Sequence, residues 1–146
     1  MPQSSAPFSL AGLDHIVLRI RDRAVMLDFY RNVLGCLLER EQPELGLTQL
    51  RAGRSLIDFV ELDGKLGRIG GAAPGKEGRN VDHFCLAIAP FDEAKIRAHL
   101  TAYGVTAGET GSRYGAGGEG PSIYLQDPEG NTIELKADKM TADGAG

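Results

Sequence analysis

Apolar and polar residues alternate along Leu13-Asp-His-Ile-Val-Leu-Arg-Ile20, the period-two pattern of a strand with one covered face. The pattern returns 68 residues later in Val81-Asp-His-Phe-Cys-Leu-Ala-Ile88, with four of eight positions identical. Each copy then runs into a helical period. After Asp22, a natural cap, Met26, Phe29, Tyr30 and Val33 fall at i, i+3, i+4 and i+7, and Gly35 offers a left-handed stop. After Asp92, Ile96, Leu100 and Tyr103 share one face and Gly104 ends the run. Three strand-like runs follow each helix, closing with residues 55–62 and 131–137. The predicted fold class is α+β: two βαβββ modules forming a curved, partly closed mixed sheet with the helices outside. They occupy residues 11–62 and 80–137 of a single domain over 1–146, joined by a glycine-rich linker at 63–79. Units of roughly 60 residues are marginal alone, so the two are expected to share one sheet. A second glycine-rich stretch, 108–120, reads either as a mobile loop over a site or as a disordered connection.

Composition narrows the function. Net charge is −4, the pI is near 5.4, and no cluster of Lys and Arg stands out, which argues against nucleic acid. No apolar run approaches the roughly 20 residues needed to span a bilayer, and the first residues have neither the basic start nor the apolar core of a signal peptide. The expectation is a cytoplasmic protein without a membrane partner. Cys36 and Cys85 lie in apolar stretches and read as reduced, buried thiols. His99 reads as a solvated helix residue, and residues 137–146 as a frayed tail.

Strand parity places the chemistry. Ile16, Leu18 and Ile20 face the helix side of the first strand, so His15, Val17 and Arg19 face away. The equivalent strand puts Phe84, Leu86 and Ile88 inside and His83 outside. In the last strand Ile133 and Leu135 are covered, leaving Glu134 on the histidine side. Sliding that strand back by 76 residues lays Ile133-Glu134-Leu135 on Ile57-Asp58-Phe59, so an acid recurs, whereas Glu61 has the opposite parity. His15, His83, Asp58 and Glu134 thus form a pseudo-two-fold set of two imidazoles and two carboxylates. Such a set suits one divalent transition metal, Ni, Zn, Mn, Fe or Co, rather than Mg or Ca. Tyr124, across the 127–131 turn from Glu134, projects onto the same face. Two roles fit it equally: hydrogen-bonding a substrate oxygen, or packing beside a cavity. Arg19 is expected to pair with a surface acid rather than with an anionic substrate.

At these residues the chain resembles the vicinal oxygen chelate superfamily, which includes glyoxalase I, fosfomycin-resistance and bleomycin-binding proteins, and extradiol dioxygenases. The carriers are the two Asp-His strands, Phe29-Tyr-Arg-Asn-Val-Leu-Gly35 and Gly120-Pro-Ser-Ile-Tyr-Leu-Gln-Asp-Pro-Glu-Gly-Asn-Thr-Ile-Glu-Leu135. The resemblance implies metal ligands at His15, His83 and Glu134, with Asp58 where glyoxalase-type members have a fourth, usually longer, ligand. It implies a metal-dependent lyase or isomerase of the lactoylglutathione-lyase type, with Glu134, Asp58 and Tyr124 as catalytic candidates. The partner is then a small molecule that chelates through neighbouring oxygens, either a thiol adduct or another substrate, and the family habit is a homodimer.

Departures keep alternatives open. Leu62 stands where glyoxalase I has a glutathione-holding Asn. Ser122 and Tyr124 match the fosfomycin-resistance pattern, but Tyr114 replaces its Lys and no Arg follows Glu134, so a phosphonate lacks its usual cations. A fosfomycin-type thiol transferase or hydrolase, an extradiol-type dioxygenase and a non-catalytic binding protein of the same fold remain the other readings.

Overall fold

The structure, a computed structural model, describes residues 5–138. The first half runs β1 (His15–Ile20), α1 (Arg23–Asn32), β2 (Leu37–Gln42), β3 (Leu47–Ala52) and β4 (Ser55–Glu61). The second runs β5 (Phe84–Ile88), α2 (Glu93–Ala102), β6 (Gly111–Gly115), β7 (Gly118–Gln126) and β8 (Thr132–Ala137). The order is βαβββ twice, and the class is α+β. The tail expected to fray overlaps the end of β8, and residues 139–146 lie outside the described residues.

Both helices start and stop for local reasons. The carboxylates of Asp22 and Asp92 accept from the backbone N–H of Val25 and Lys95 at 3.1 Å in each case, satisfying one otherwise orphaned donor per helix. Gly35 and Gly104 take φ of +80° and +72°, a conformation costly for any residue with a Cβ.

The strands form two four-stranded mixed sheets, ordered β1-β4-β3-β2 and β5-β8-β7-β6, with β1–β4 and β5–β8 parallel. The sheets stay open, and no ladder joins them among the described residues. The modules share a core instead. Leu18, Ile20, Met26, Phe29, Tyr30, Ile57 and Phe59 of the first cluster with Leu100, Leu125, Ile133 and Leu135 of the second. One apolar cluster removes more surface from water than either half could alone.

Polar bonds fix how the halves meet. The buried Tyr30 hydroxyl donates to Asp127 Oδ2 at 2.7 Å, and Asp127 also accepts from Glu129 N, Asn131 N and Asn131 Nδ2. From the same turn, Glu129 accepts from the backbone N–H groups of Arg21 and Asp22. Asn80 joins the backbone of Arg19 to Asn131. His99 is exposed on α2 as expected, and its Nε2 also donates to the Val33 carbonyl at 2.8 Å, tying α2 to the end of α1.

Two glycine-rich stretches turn out to be ordered. Residues 108–120 are not a loop but the β6–β7 hairpin. A Cβ at Gly111 would stand 2.9 Å from the Arg113 guanidinium, and one at Gly115 would stand 3.1 Å from the Lys136 stem. The glycines leave room for long side chains. In the linker, Arg19 donates to the carbonyls of Gly67, Gly71 and Ala72 instead of pairing with an acid. No helix among the described residues is long and apolar enough to cross a membrane.

Replacing Tyr30 by Phe removes one buried donor from Asp127 and should cost about 1–3 kcal/mol in urea unfolding at neutral pH. Burial, then the Asp127 charge, pushes the Tyr30 hydroxyl well above its usual 10.0. A raised value means that the protonated group's contribution is intact below pH 10.0 and lost as pH climbs toward the folded-state value. Tyr30→Phe should therefore flatten the alkaline decline in stability; an equally steep decline in both proteins would refute the assignment.

Candidate metal and substrate site

His15 opens β1, and its Nδ1 donates to Asp14 Oδ1 at 2.7 Å. That bond, followed by the charge of Asp58, raises the imidazole above its usual 6.5. Asp58 lies on β4 in register with Val17, on the face the helix does not cover. It is only 4% exposed. Its Oδ2 accepts from Gln49 Nε2 on β3 at 3.2 Å, while Oδ1 is buried with no partner. A buried carboxylate oxygen without a donor is costly in a folded protein, and its chemistry is that of a cation ligand.

The second module repeats the arrangement. His83 directly precedes β5, its Nδ1 donates to Asp82 Oδ2 at 2.7 Å, and its Nε2 lies 3.4 Å from Glu134 Oε1. The bond to His83 holds the Asp82 carboxyl below its usual range. Glu134 sits on β8, buried like Asp58. Tyr124 is its direct partner across the β7–β8 pair, as the turn predicts, and its ring meets His83 edge to face with centroids 5.3 Å apart. Burial and then the Glu134 charge raise the Tyr124 hydroxyl.

Each module therefore brings together one Asp-held imidazole and one buried carboxylate. The two pairs are not brought to one point. Among the described residues no three His, Cys, Asp or Glu side chains group closely enough to hold an ion. The donor set still fits a divalent cation, because an imidazole whose Nδ1–H is held by a carboxylate has Nε2 left as the ligating atom. Asp14, Asp82 and Gln49 escaped the sequence reading. The Asp-His dipeptide is visible in both copies, but its Asp has the strand parity of the covered face.

Two expectations change. Cys36 is buried and its thiol pushed up to about 11, but Cys85 is exposed, since it shares the uncovered face with Glu134; burial, then the Glu134 charge, still pushes it to about 11. Cations are present on that face as well. Arg113 donates through Nη1 to the carbonyl and hydroxyl of Ser122, and its guanidinium lies 4.6 Å over the Tyr124 ring. Lys136, two residues beyond Glu134, donates to the Gly118 carbonyl. Neither stands at a position the resemblance pointed to.

Solved structures share this architecture. An integron cassette protein from the mobile metagenome of V. cholerae superposes with a TM-score of 0.68 at 27% identity, covering 89% of this chain and 97% of that one. The lactoylglutathione lyase of Agrobacterium tumefaciens gives 0.61 at 18%, over 90% and 96% of the two chains. The fosfomycin resistance protein FosX of Mesorhizobium loti gives 0.63 at 17%, over 92% and 98%. At these identities the last two likenesses show the fold alone. Residues 12–135 match the glyoxalase/bleomycin resistance protein/dioxygenase superfamily, which takes in both modules and every side chain of the two half-sites, and the chain belongs to that family.

Proposed function

We propose that the protein is a divalent-metal-dependent lyase or isomerase of the glyoxalase type, acting on a small molecule that presents neighbouring oxygens. Its site is assembled in a homodimer from His15 and Asp58 of one chain and His83 and Glu134 of the other. The observation that carries this reading is the duplicated half-site: each module supplies one His with a carboxylate on Nδ1 and one buried acid, yet the described residues of a single chain gather no three ligands. Val17, exposed in register with Asp58 on the uncovered face, leaves apolar surface beside the half-site that a second copy would cover.

The bound metal would supply a Lewis acid for oxygens that gain negative charge during reaction. The chain's own groups do the rest. Asp14 and Asp82 fix the tautomers of His15 and His83. Glu134, buried against His83, and Asp58, with one oxygen unpartnered, are the bases within reach of a proton next to those oxygens. Asp58 is a methylene shorter than Glu134 and is already anchored by Gln49, which suits it to proton transfer more than to tight coordination. The Tyr124 hydroxyl, kept protonated by burial and by Glu134, can donate to a substrate oxygen.

Metal content decides the ligand set. His15→Ala and His83→Ala should each abolish uptake by the homodimer, and retention of metal by both would remove these ligands. Purified heterodimers of the two variants test the sharing. In one site both histidines are lost and in the other both are intact, so one ion per heterodimer is expected; none would place each site within a single chain.

Turnover separates the roles of the acids. The substrates to screen are methylglyoxal with thiols, acyl-CoA epimers, fosfomycin with and without thiols, and catechols. Asp58→Asn should leave metal affinity within about tenfold and strongly reduce turnover, whereas Asp58→Glu should tighten binding. Loss of metal in Asp58→Asn as complete as in His15→Ala would make Asp58 a full ligand.

A further inference from the structure

We propose that the cavity between the end of β1, the 63–79 linker and the β7–β8 turn is a separate ligand site, which takes a small organic molecule bearing a multiply charged oxyanion. It lies at other residues than the two half-sites and does not rest on the function proposed above.

The cavity has a volume of about 340 Å³, within the range that holds small organic ligands. Four cationic residues line it, Arg19, Arg21, Lys76 and Arg79, against one acid, Glu129. On a chain of net charge −4 this is a local inversion of sign. Its members come from two separate segments, so no basic run announces them. Hydrogen bonds bring the segments together. Arg21 donates through Nη2 to the Pro74 carbonyl at 2.7 Å, which sets its guanidinium against the residue two before Lys76. Gly75 and Gly78 exchange backbone bonds at 3.0 and 3.3 Å, closing a turn that contains Lys76. Asn80, next to Arg79, bonds both the N–H and the carbonyl of Arg19 and also Asn131 on the opposite wall.

Nearby acids leave this charge standing. Glu129 spends both oxygens on the backbone N–H groups of Arg21 and Asp22 and forms no ion pair with a cation among the described residues. Arg79 reaches Asp82 at 3.6 Å, an exposed pair that contributes little. Lys76 has no side-chain partner among the described residues, and Arg21 engages only one of the donors on its guanidinium. Arg19 has another task. Its Nη groups hold the carbonyls of Gly67, Gly71 and Ala72, and a Cβ at Gly70 would stand 2.7 Å from its Nε. It is a positioning residue that folds the linker over the cavity, leaving Arg21, Lys76 and Arg79 to bind. A linker that only joined the modules would gain nothing by gathering like charges, because they repel. An oxyanion among them removes the repulsion and fills the open donors, and the planar forks of Arg21 and Arg79 suit phosphate or carboxylate. The remaining volume accommodates the organic body that carries it.

Glycerol 3-phosphate and citrate, titrated separately into the full chain and followed by the amide signals of Gly75, Lys76 and Gly130, test the site. The protein is kept metal-free because citrate chelates metal. Saturable shifts are expected with at least one probe, absent with chloride at equal ionic strength, and the tighter probe assigns the oxyanion as a phosphate ester or a carboxylate. Arg21→Met, Lys76→Met and Arg79→Met should each weaken binding about tenfold, the loss of one charge-assisted hydrogen bond, while Arg79→Lys retains most of it. Lys76 and Arg79 are exposed, so their variants keep the fold. Lys65→Met removes a charge from the exposed linker outside the cavity and should bind as the wild type does. No saturable shift with either probe, wild-type affinity in the three cavity variants, or an equal loss in Lys65→Met would overturn the proposal. A chain that takes up no metal sinks the function proposed above and leaves this titration to judge the cavity by itself.

Discussion

The buried carboxylate of Asp127 is the constraint on which the arrangement of the two modules depends. It lies in the turn between β7 and β8, where it gathers three bonds from its own turn and a fourth from Tyr30 in the other module. A buried charge is tolerated only when its lone pairs are filled, so the turn and α1 must hold a fixed relation. Glu129 and Asn131 extend the same turn to the end of β1, through Arg21, Asp22 and Asn80. Since β8 begins immediately after the turn, the strand carrying Glu134 and the strand carrying His15 are positioned by one cluster of bonds. That cluster holds the half-sites of one chain in a defined relation that does not superimpose them.

Duplication explains why the two half-sites are built alike. In each module the edge strand that starts at or just after the His pairs in parallel with the strand bearing the acid, and the helix covers the opposite side. The uncovered face is then forced to carry the polar half of every alternating strand. The copies have diverged where chemistry would ask for it. Glu134 reaches His83, whereas the shorter Asp58 is drawn toward Gln49. In the proposed site equal ligands would give a symmetric cage, and unequal ones would leave one carboxylate better placed for proton transfer.

Local rules were enough to read the helices, their Asp caps, the strand parities and the cross-strand pairing of Tyr124 with Glu134, because each depends on neighbours within a few residues. The failures share another cause. Residues 108–120 look flexible by composition, but their glycines answer to steric demands from Arg113 and Lys136, and Lys136 is remote in sequence. Arg19 was expected to seek an acid and instead satisfies three linker carbonyls, which no charge pattern reveals. Asp127 acts through a partner in the other module. Asp14 and Asp82 were in view, but strand parity describes where a side chain starts and not how an adjacent carboxylate folds back onto an imidazole.

The uncovered faces carry Asp58, Glu134, Lys136 and Arg113, all at least partly removed from water and none neutralised by an ion pair to another side chain of opposite charge at hydrogen-bonding range, apart from the contact of Glu134 with His83. Folding alone would favour apolar or neutral residues at such positions, since desolvating an unpaired charge costs more than it returns. Local sequence rules and fold stability agree elsewhere in this chain, in the caps, the core and the intermodule turn. They disagree on the uncovered faces of the two sheets, where buried acids stand beside the histidines.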